Sequence, residues 1–231
     1  TLRKAVAMAI DGQTVCDIST GGSYTYTNNV PVPGYDLENP YGYDQEAAVA
    51  MLDEAGIVDS DGDGYRELDG KNIDINIVAT TSRQQDVIAQ AYAVQLEGIG
   101  IKSTISMPEN ATELRVSQGF DMMYNNEVTT PTGDPENFLK HWYGQITDTS
   151  FNYGNYHNDE YDALYEQLIG EFDTEKRKEI FTQMQEILME DVATICSGAY
   201  NFNICSADSV QGVHSYVCDY YWVTKDVTPT L

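Results

Sequence analysis

Apolar residues recur along this chain with two periods that alternate. The opening run, Thr1 through Ile10, reads as the middle of a helix, so the chain is expected to be a piece of something longer. Residues 45–55 carry apolar side chains at helical spacing, with Asp44 placed to cap the start and Gly56 to end it in a left-handed turn. A polar loop spans residues 59–70, after which Ile73, Ile75 and Ile77 alternate with Asp74 and Asn76 as in a strand buried on one face. Residues 82–98 return to the helical period, and Ile101, Ser103, Ile105 and Met107 alternate again. Strand, long helix and strand in that order predict a parallel crossover. The second half predicts a short helix over 109–118, a strand over 120–125, and a helix over 134–140 with an Asp134 cap and Pro135 at its first position. Two amphipathic helices over 158–169 and 174–190 and short strands over 193–197 and 200–205 complete a single α/β unit without internal repeats.

Composition narrows the class. The chain has 37 acidic and 12 basic residues in 231, a net charge of −25, which excludes ordinary binding to nucleic acid and to anionic lipid. With 42% hydrophobic residues and 17 tyrosines it has the material for a core all the same. No stretch approaches the roughly 18–20 apolar residues that span a bilayer. Cys16, Cys196, Cys205 and Cys218 form no CxxC pair, so zinc is not expected; Cys196 and Cys205 are the first pair to test for a disulfide, against free buried thiols.

Catalytic signatures are missing. His141, His157 and His214 form no zinc-binding spacing, there is no nucleophile elbow or phosphate-cradling loop, and Asp148-Thr149-Ser150 has no second copy to share a proton with. The chain is read as a non-enzyme without a cofactor. Asp59, Asp61 and Asp63 with Gly64 match the start of an EF-hand calcium loop, but Gly70 stands where the bidentate Glu belongs and a strand follows in place of a helix. A plain turn is the better reading of that loop.

Several segments, in order, resemble one family. They are Leu2 through Asp11, Val30-Pro31-Val32-Pro33-Gly34-Tyr35, Tyr43-Asp44, Met51-Leu52-Asp53-Glu54-Ala55-Gly56 and Asp61-Gly62-Asp63-Gly64. Further along come Gly98-Ile99-Gly100-Ile101, Phe120-Asp121, Gly133-Asp134-Pro135, Tyr161-Asp162-Ala163-Leu164 and Gln185-Glu186-Ile187-Leu188. Their order and spacing resemble the large bacterial extracellular solute-binding proteins that serve peptide and nickel ABC importers. The resemblance implies an α/β fold: a type II periplasmic-binding-protein-like lobe with a mixed sheet flanked by helices. Residues 1–231 would be the C-terminal lobe, and 206–231, with His214, Tyr220, Tyr221 and Trp222, the segment returning toward a missing N-terminal lobe.

The implied function is extracytoplasmic: capture of a peptide or other small solute between two lobes and delivery to an ABC permease and its ATPase, with no role for nucleic acid. In peptide-binding relatives the loop after the 120–125 strand lines the cleft, and an Asp before the Asp-Pro pair neutralises the peptide's amino terminus. Here Pro131 falls at that position, which puts ordinary peptide capture in doubt, and Glu127 is the carboxylate that could serve from nearby. The candidate ligand-binding residues are Tyr124, Asn125, Asn126, Glu127, Thr129, Thr130 and, from the late strand, Tyr200. The competing readings are an acidic calcium-dependent surface domain and a secreted hydrolase.

Overall fold

The computed structural model describes residues 1–30, 37–117, 119–131, 133–145, 152–216 and 223–230. Helix α1 (Leu2–Ala9) buries Ala5, Val6, Met8 and Ala9. The chain then does something its periodicity does not announce: the Asp11 carboxylate accepts the Thr14 N–H at 3.0 Å and the Thr14 hydroxyl at 2.7 Å, starting a second helix, α2 (Gly12–Ser19). Strand β1 (Tyr24–Thr25) follows. Helix α3 (Gln45–Glu54) has the predicted Asp44 cap, which accepts the Ala47 N–H. Gly56 at φ 72° ends it, a conformation that costs a residue with a Cβ.

The sheet forms as the pattern predicts. A hairpin of β2 (Glu67–Leu68) and β3 (Lys71–Asn72) turns through Asp69 and Gly70, and leads into β4 (Asp74–Val78). Helix α4 (Gln85–Glu97) crosses over to β5 (Lys102–Ser106), which lies parallel to β4 in register Asp74↔Lys102 through Val78↔Ser106. After α5 (Ala111–Ser117), β6 (Met122–Met123) adds to the other edge of β4, also parallel, giving the order β5-β4-β6. It is shorter than the predicted 120–125, because only Met122 and Met123 find register partners, Ile77 and Val78.

The second half is helical. Asp134 accepts the Glu136 N–H at 2.9 Å and α6 (Glu136–Leu139) begins one residue later than predicted, with Pro135 at the cap position. Helices α7 (Asp159–Gly170) and α8 (Thr174–Glu190) are capped by Asn158 and Asp173. The strands predicted over 193–197 and 200–205 are corrected: among described residues only β7 (Ala199–Tyr200) pairs, antiparallel to β1 with Tyr24 opposite Tyr200. The physical reason is the partner's length, since β1 offers two residues and the pairing runs on no further than the Asn201 N–H bond to the Ser23 carbonyl. Gly198 permits the approach, because a Cβ there would lie 2.6 Å from the Thr25 carbonyl oxygen. Strands β8 (Val210–Gln211) and β9 (Thr228–Pro229) form a last antiparallel pair.

Two cores result. The first gathers α1–α4 and the parallel strands around Leu52, Ile77, Ile88 and Leu96; the second gathers α6–α8 around Leu139, Tyr161, Met184 and Leu188. Lys4 of α1 and Tyr41 both donate to Glu190 Oε1 at 2.7 Å, joining the first core to the end of α8. Cys196 and Cys205 are not bonded to each other; Cys16, Cys196 and Cys205 are free, and Cys218 lies outside the described residues. Burial pushes the Cys196 thiol up to about 12, while Cys205 is exposed, so the two sulfurs occupy different environments. Pro31 through Tyr35, Thr132, Asp148-Thr149-Ser150 and Tyr220 through Trp222 also lie outside the described residues.

Candidate functional site

The carboxyl ends of β4 and β6 lie side by side, and the loops that leave them diverge around a shallow concavity of about 240 Å³. Thr80, Ser82, Arg83 and Gln85 form the wall that follows β4; Met123 through Asn126 form the wall that follows β6; Arg115 of α5 closes one end. Open α/β sheets characteristically bind ligands outside the carboxyl ends of parallel strands, because loops diverge there and leave a crevice.

The structure brings together three of the predicted residues. Tyr124 is half-buried, its phenol pushed up by burial, and its N–H continues the ladder to the Val78 carbonyl at 2.8 Å. Asn125 accepts from Arg115 Nη2 at 3.1 Å and donates to Glu127 Oε1 at 2.6 Å. Asn126 accepts from Gln85 Nε2 at 2.7 Å and donates to the Tyr24 hydroxyl at 3.2 Å. The remaining predicted residues sit elsewhere. Glu127 is outside the lining: the carboxylate oxygen that takes the Asn125 amide also faces His141 Nε2 at 3.6 Å. Since His141 Nδ1 meets the Phe138 carbonyl at 2.8 Å, it is Nδ1 that carries the donor proton. Thr129 is half-buried beyond the lining, and Thr130 is only 8% exposed, its carbonyl accepting the Gly133 N–H. Tyr200 lies at the rim, 45% exposed, with the Arg83 guanidinium 5.4 Å above its ring and the Tyr24 ring edge-on at 5.2 Å.

Arg83 and Arg115 are the residues that sequence reasoning passed over. In a chain with 12 basic and 37 acidic side chains, both of these guanidiniums line the concavity and, among the described residues, no carboxylate does. A lone Arg just past the end of a predicted parallel strand, as in Thr80-Thr81-Ser82-Arg83, is the signal that would have found the first. Arg115 comes into place only through the fold, where its guanidinium also lies 4.7 Å above the Tyr153 ring. The backbone at Arg83 is unusual as well. Arg83 and Gln84 have φ of 51° and 58°, two successive non-glycine residues in the left-handed region, which costs roughly 1–2 kcal/mol each. The Tyr24 hydroxyl donates to the Arg83 carbonyl at 3.0 Å and holds that turn.

In the acidic loop two of the three aspartates of the EF-hand register come together, joined by Glu67. Ligand atoms of Asp59, Asp61 and Glu67 come within 4.8 Å of one another, whereas Asp63 faces away, bonded to the Tyr65 N–H and Asn72 Nδ2. The hairpin of β2 and β3 is the cause: it folds Glu67 back over the loop and draws Asp63 toward Asn72. Asp59 accepts the N–H groups of Gly62 and Gly64, and Glu67 accepts from the Ser60 N–H and hydroxyl. The loop is closed by its own backbone donors, as a plain turn requires. No helix among the described residues is long and apolar enough to cross a membrane.

Residues 1–150 match the sequence profile of the bacterial extracellular solute-binding proteins, family 5 Middle. The periplasmic alpha-galactoside-binding protein of Rhizobium meliloti (strain 1021) is 22% identical over 215 residues, covering 84% of this chain and 31% of that protein. The oligopeptide-binding protein AppA of Bacillus subtilis, solved with a nonapeptide, superposes with a TM-score of 0.80 at 19% identity, over 99% of this chain and 47% of that one. The periplasmic oligopeptide-binding protein of Thermotoga maritima, solved with mannohexaose, gives 0.77 at 27% identity, over 87% of this chain and 41% of that one. The chain thus spans about half the length, or less, of the relatives it matches, and its fold is that of the type II periplasmic binding proteins.

Proposed function

Since the chain belongs to the bacterial extracellular solute-binding proteins, family 5, we propose that it is one lobe of an extracytoplasmic receptor that captures a small solute and delivers it to an ABC permease. In this reading residues 1–231 are the C-terminal lobe, 206–231 lead back toward an N-terminal lobe, and ligand closes the two like a hinged clamp. The observation that carries it is the concavity at the carboxyl ends of β4 and β6, where Tyr124, Asn125 and Asn126 meet Arg83 and Arg115.

The lining also bears on the solute. Guanidinium, amide and hydroxyl groups are rich in donors, and the Glu127 carboxylate beside them is engaged by Asn125 and faces His141. That arrangement fits ligand oxygens better than a ligand ammonium group, which agrees with Pro131 standing where relatives carry an amine-binding Asp. An oxygen-rich solute, an oligosaccharide or a peptide held by its carbonyl and carboxylate oxygens, is the class we favour.

Mass spectrometry of solute retained by the natural full-length protein tests this. An oxygen-rich solute released on denaturation is the expected result; a retained polyamine, or turnover of the bound compound, would overturn it. Residues 1–231 by themselves supply half of the contacts, and calorimetry with that solute is expected to show weak binding or none.

A further inference from the structure

We propose that Gln85 is the positioning residue of this concavity, acting by fixing the direction of a hydrogen-bond chain that ends on the Arg83 carbonyl. The inference rests on the reading of the concavity as ligand-facing. Its basis is a polarity forced from both ends. The Thr80 N–H can only donate, so Gln85 presents Oε1 to it at 3.2 Å, and the same oxygen accepts the Thr80 hydroxyl at 2.8 Å. Gln85 Nε2 is thereby turned to Asn126, donating to Oδ1 at 2.7 Å. Asn126 must then aim Nδ2 at the Tyr24 hydroxyl, 3.2 Å away, and Tyr24 passes its own hydrogen to the Arg83 carbonyl at 3.0 Å, which can only accept. One orientation of each amide satisfies every group, and Gln85, 7% exposed, sits at the head of the sequence.

What the chain holds is the strained turn. Arg83 and Gln84 are both left-handed, Gln84 Oε1 is buried without a partner among the described residues, and Gln84 Nε2 reaches the Thr20 carbonyl only at 3.4 Å. The Tyr24 hydroxyl is therefore the principal restraint on the Arg83 carbonyl, and the posture of that backbone decides where the guanidinium points across the Tyr200 ring. A side chain that merely filled the space at position 85 would leave the direction of the chain undefined.

The isosteric substitution Gln85→Glu separates these roles. An ionised carboxylate accepts from Thr80 but has nothing to donate to Asn126. Asn126 then turns Nδ2 toward it, Tyr24 gives its hydrogen to Asn126 Oδ1, and the Arg83 carbonyl loses its donor. A protonated carboxyl restores the original direction, because its hydroxyl donates as the Gln85 amide does. Burial raises the pKa of such a carboxyl while the Thr80 and Asn126 donors and the Arg83 and Arg115 guanidiniums lower it, so recovery should be largely reached by about pH 4.

The experiment is hydrogen exchange on the full-length protein, read over residues 80–86 and corrected for intrinsic rates. At pH 7 Gln85→Glu is expected to exchange roughly fivefold to tenfold faster than the native segment, the scale of one lost buried hydrogen bond. At pH 4 the ratio should return to near one, with β5 unchanged throughout as the folding control. Gln85→Met should be fast at both pH values. Should Gln85→Glu fail to fold, Tyr24→Phe removes only the last donor and must loosen the same segment. Equal exchange in native and variant at pH 7, or an increase that persists at pH 4, overturns the proposal. Solute retained by the same variants keeps the two readings apart. A loosened segment with undiminished solute refutes the ligand-facing concavity and leaves the positioning role standing; lost solute without loosening refutes the positioning role.

Discussion

The core built on the β5-β4-β6 sheet is mostly aliphatic, with Leu52, Ile77, Ile88, Leu96 and Ile101 sealed among small residues such as Ala5, Ala9, Ala48 and Ala89. The core of α6–α8 buries Tyr156, Tyr161 and Tyr165 together with the carboxylate of Asp162, where the first core buries Tyr24 and Tyr92 among its aliphatic residues. Every such group brings a polar atom that must be answered. The Tyr161 hydroxyl donates to the Leu139 carbonyl at 2.6 Å, and the Tyr156 hydroxyl to Asp191 at 2.5 Å. Asp162 accepts the Gly144 N–H at 2.8 Å and Gln145 Nε2 at 3.0 Å, with His157 Nδ1 3.6 Å away. Burial drives these phenols above their ordinary range, Tyr165 to about 12. The first core is vulnerable to lost volume and the second to lost partners, because an empty space and an unanswered dipole are penalised by different physics.

The largest expected effect tests the first half of that contrast. Leu96→Ala, at a site with no exposure, should lower unfolding free energy by about 2–5 kcal/mol in urea titrations. Next comes Arg177, whose guanidinium joins Asp134 and Glu136 and caps the carbonyls of Leu168 and Glu171. Arg177→Met keeps a side chain of similar length but loses the guanidinium, including its place 5.4 Å above the Phe181 ring, and should cost about 2–3 kcal/mol, less than a fully buried pair because both acids are partly exposed. Tyr161→Phe removes one oxygen and strands the Leu139 carbonyl, for about 1–2 kcal/mol. If Tyr161→Phe proves as costly as Leu96→Ala, the contrast between the cores fails.

The smallest effect concerns the tie between the cores. Bonds from Lys4 and Tyr41 hold Glu190 below its ordinary 4.5, and the same carboxylate holds Lys4 above its ordinary 10.5. A depressed carboxylate stabilises above its unfolded pKa and loses that contribution as pH falls through the folded value; Lys4 stays charged throughout this window. Acid titration should therefore destabilise the native protein below about pH 4.5 slightly more than Glu190→Gln. The difference should stay under about 1 kcal/mol, since the pair is largely solvated.

How much of this was legible depends on whether the cause is local. Asp44 caps the helix it was expected to cap, and the Ile73 to Ile77 alternation became the central strand, because each signal acts within a few residues. Helix α2 was missed: Gly12, Thr14, Val15 and Cys16 are weak helix formers, and burial of Val15 and Cys16 overrides that weakness. The strands over 193–205 were overstated since pairing depends on a partner about 175 positions away, and β1 is two residues long. In the site, the loop from Tyr124 to Asn126 was readable from the resemblance. Arg83 left a signal that went unread, a lone Arg just past a predicted strand, whereas Gln85 and Arg115 converge on the loop from two other elements and no spacing encodes that meeting.

Trp142 packs edge-on against Phe138 at 5.1 Å, inside the tyrosine-bearing core and on the same short turn as His141. The chain has two tryptophans. In a Trp222→Phe background, indole emission becomes an optical probe of one half of the molecule, while peptide circular dichroism averages over both. Denaturation curves that coincide in the two signals would describe a single cooperative unit, and a lag between them would measure how loosely the halves are coupled.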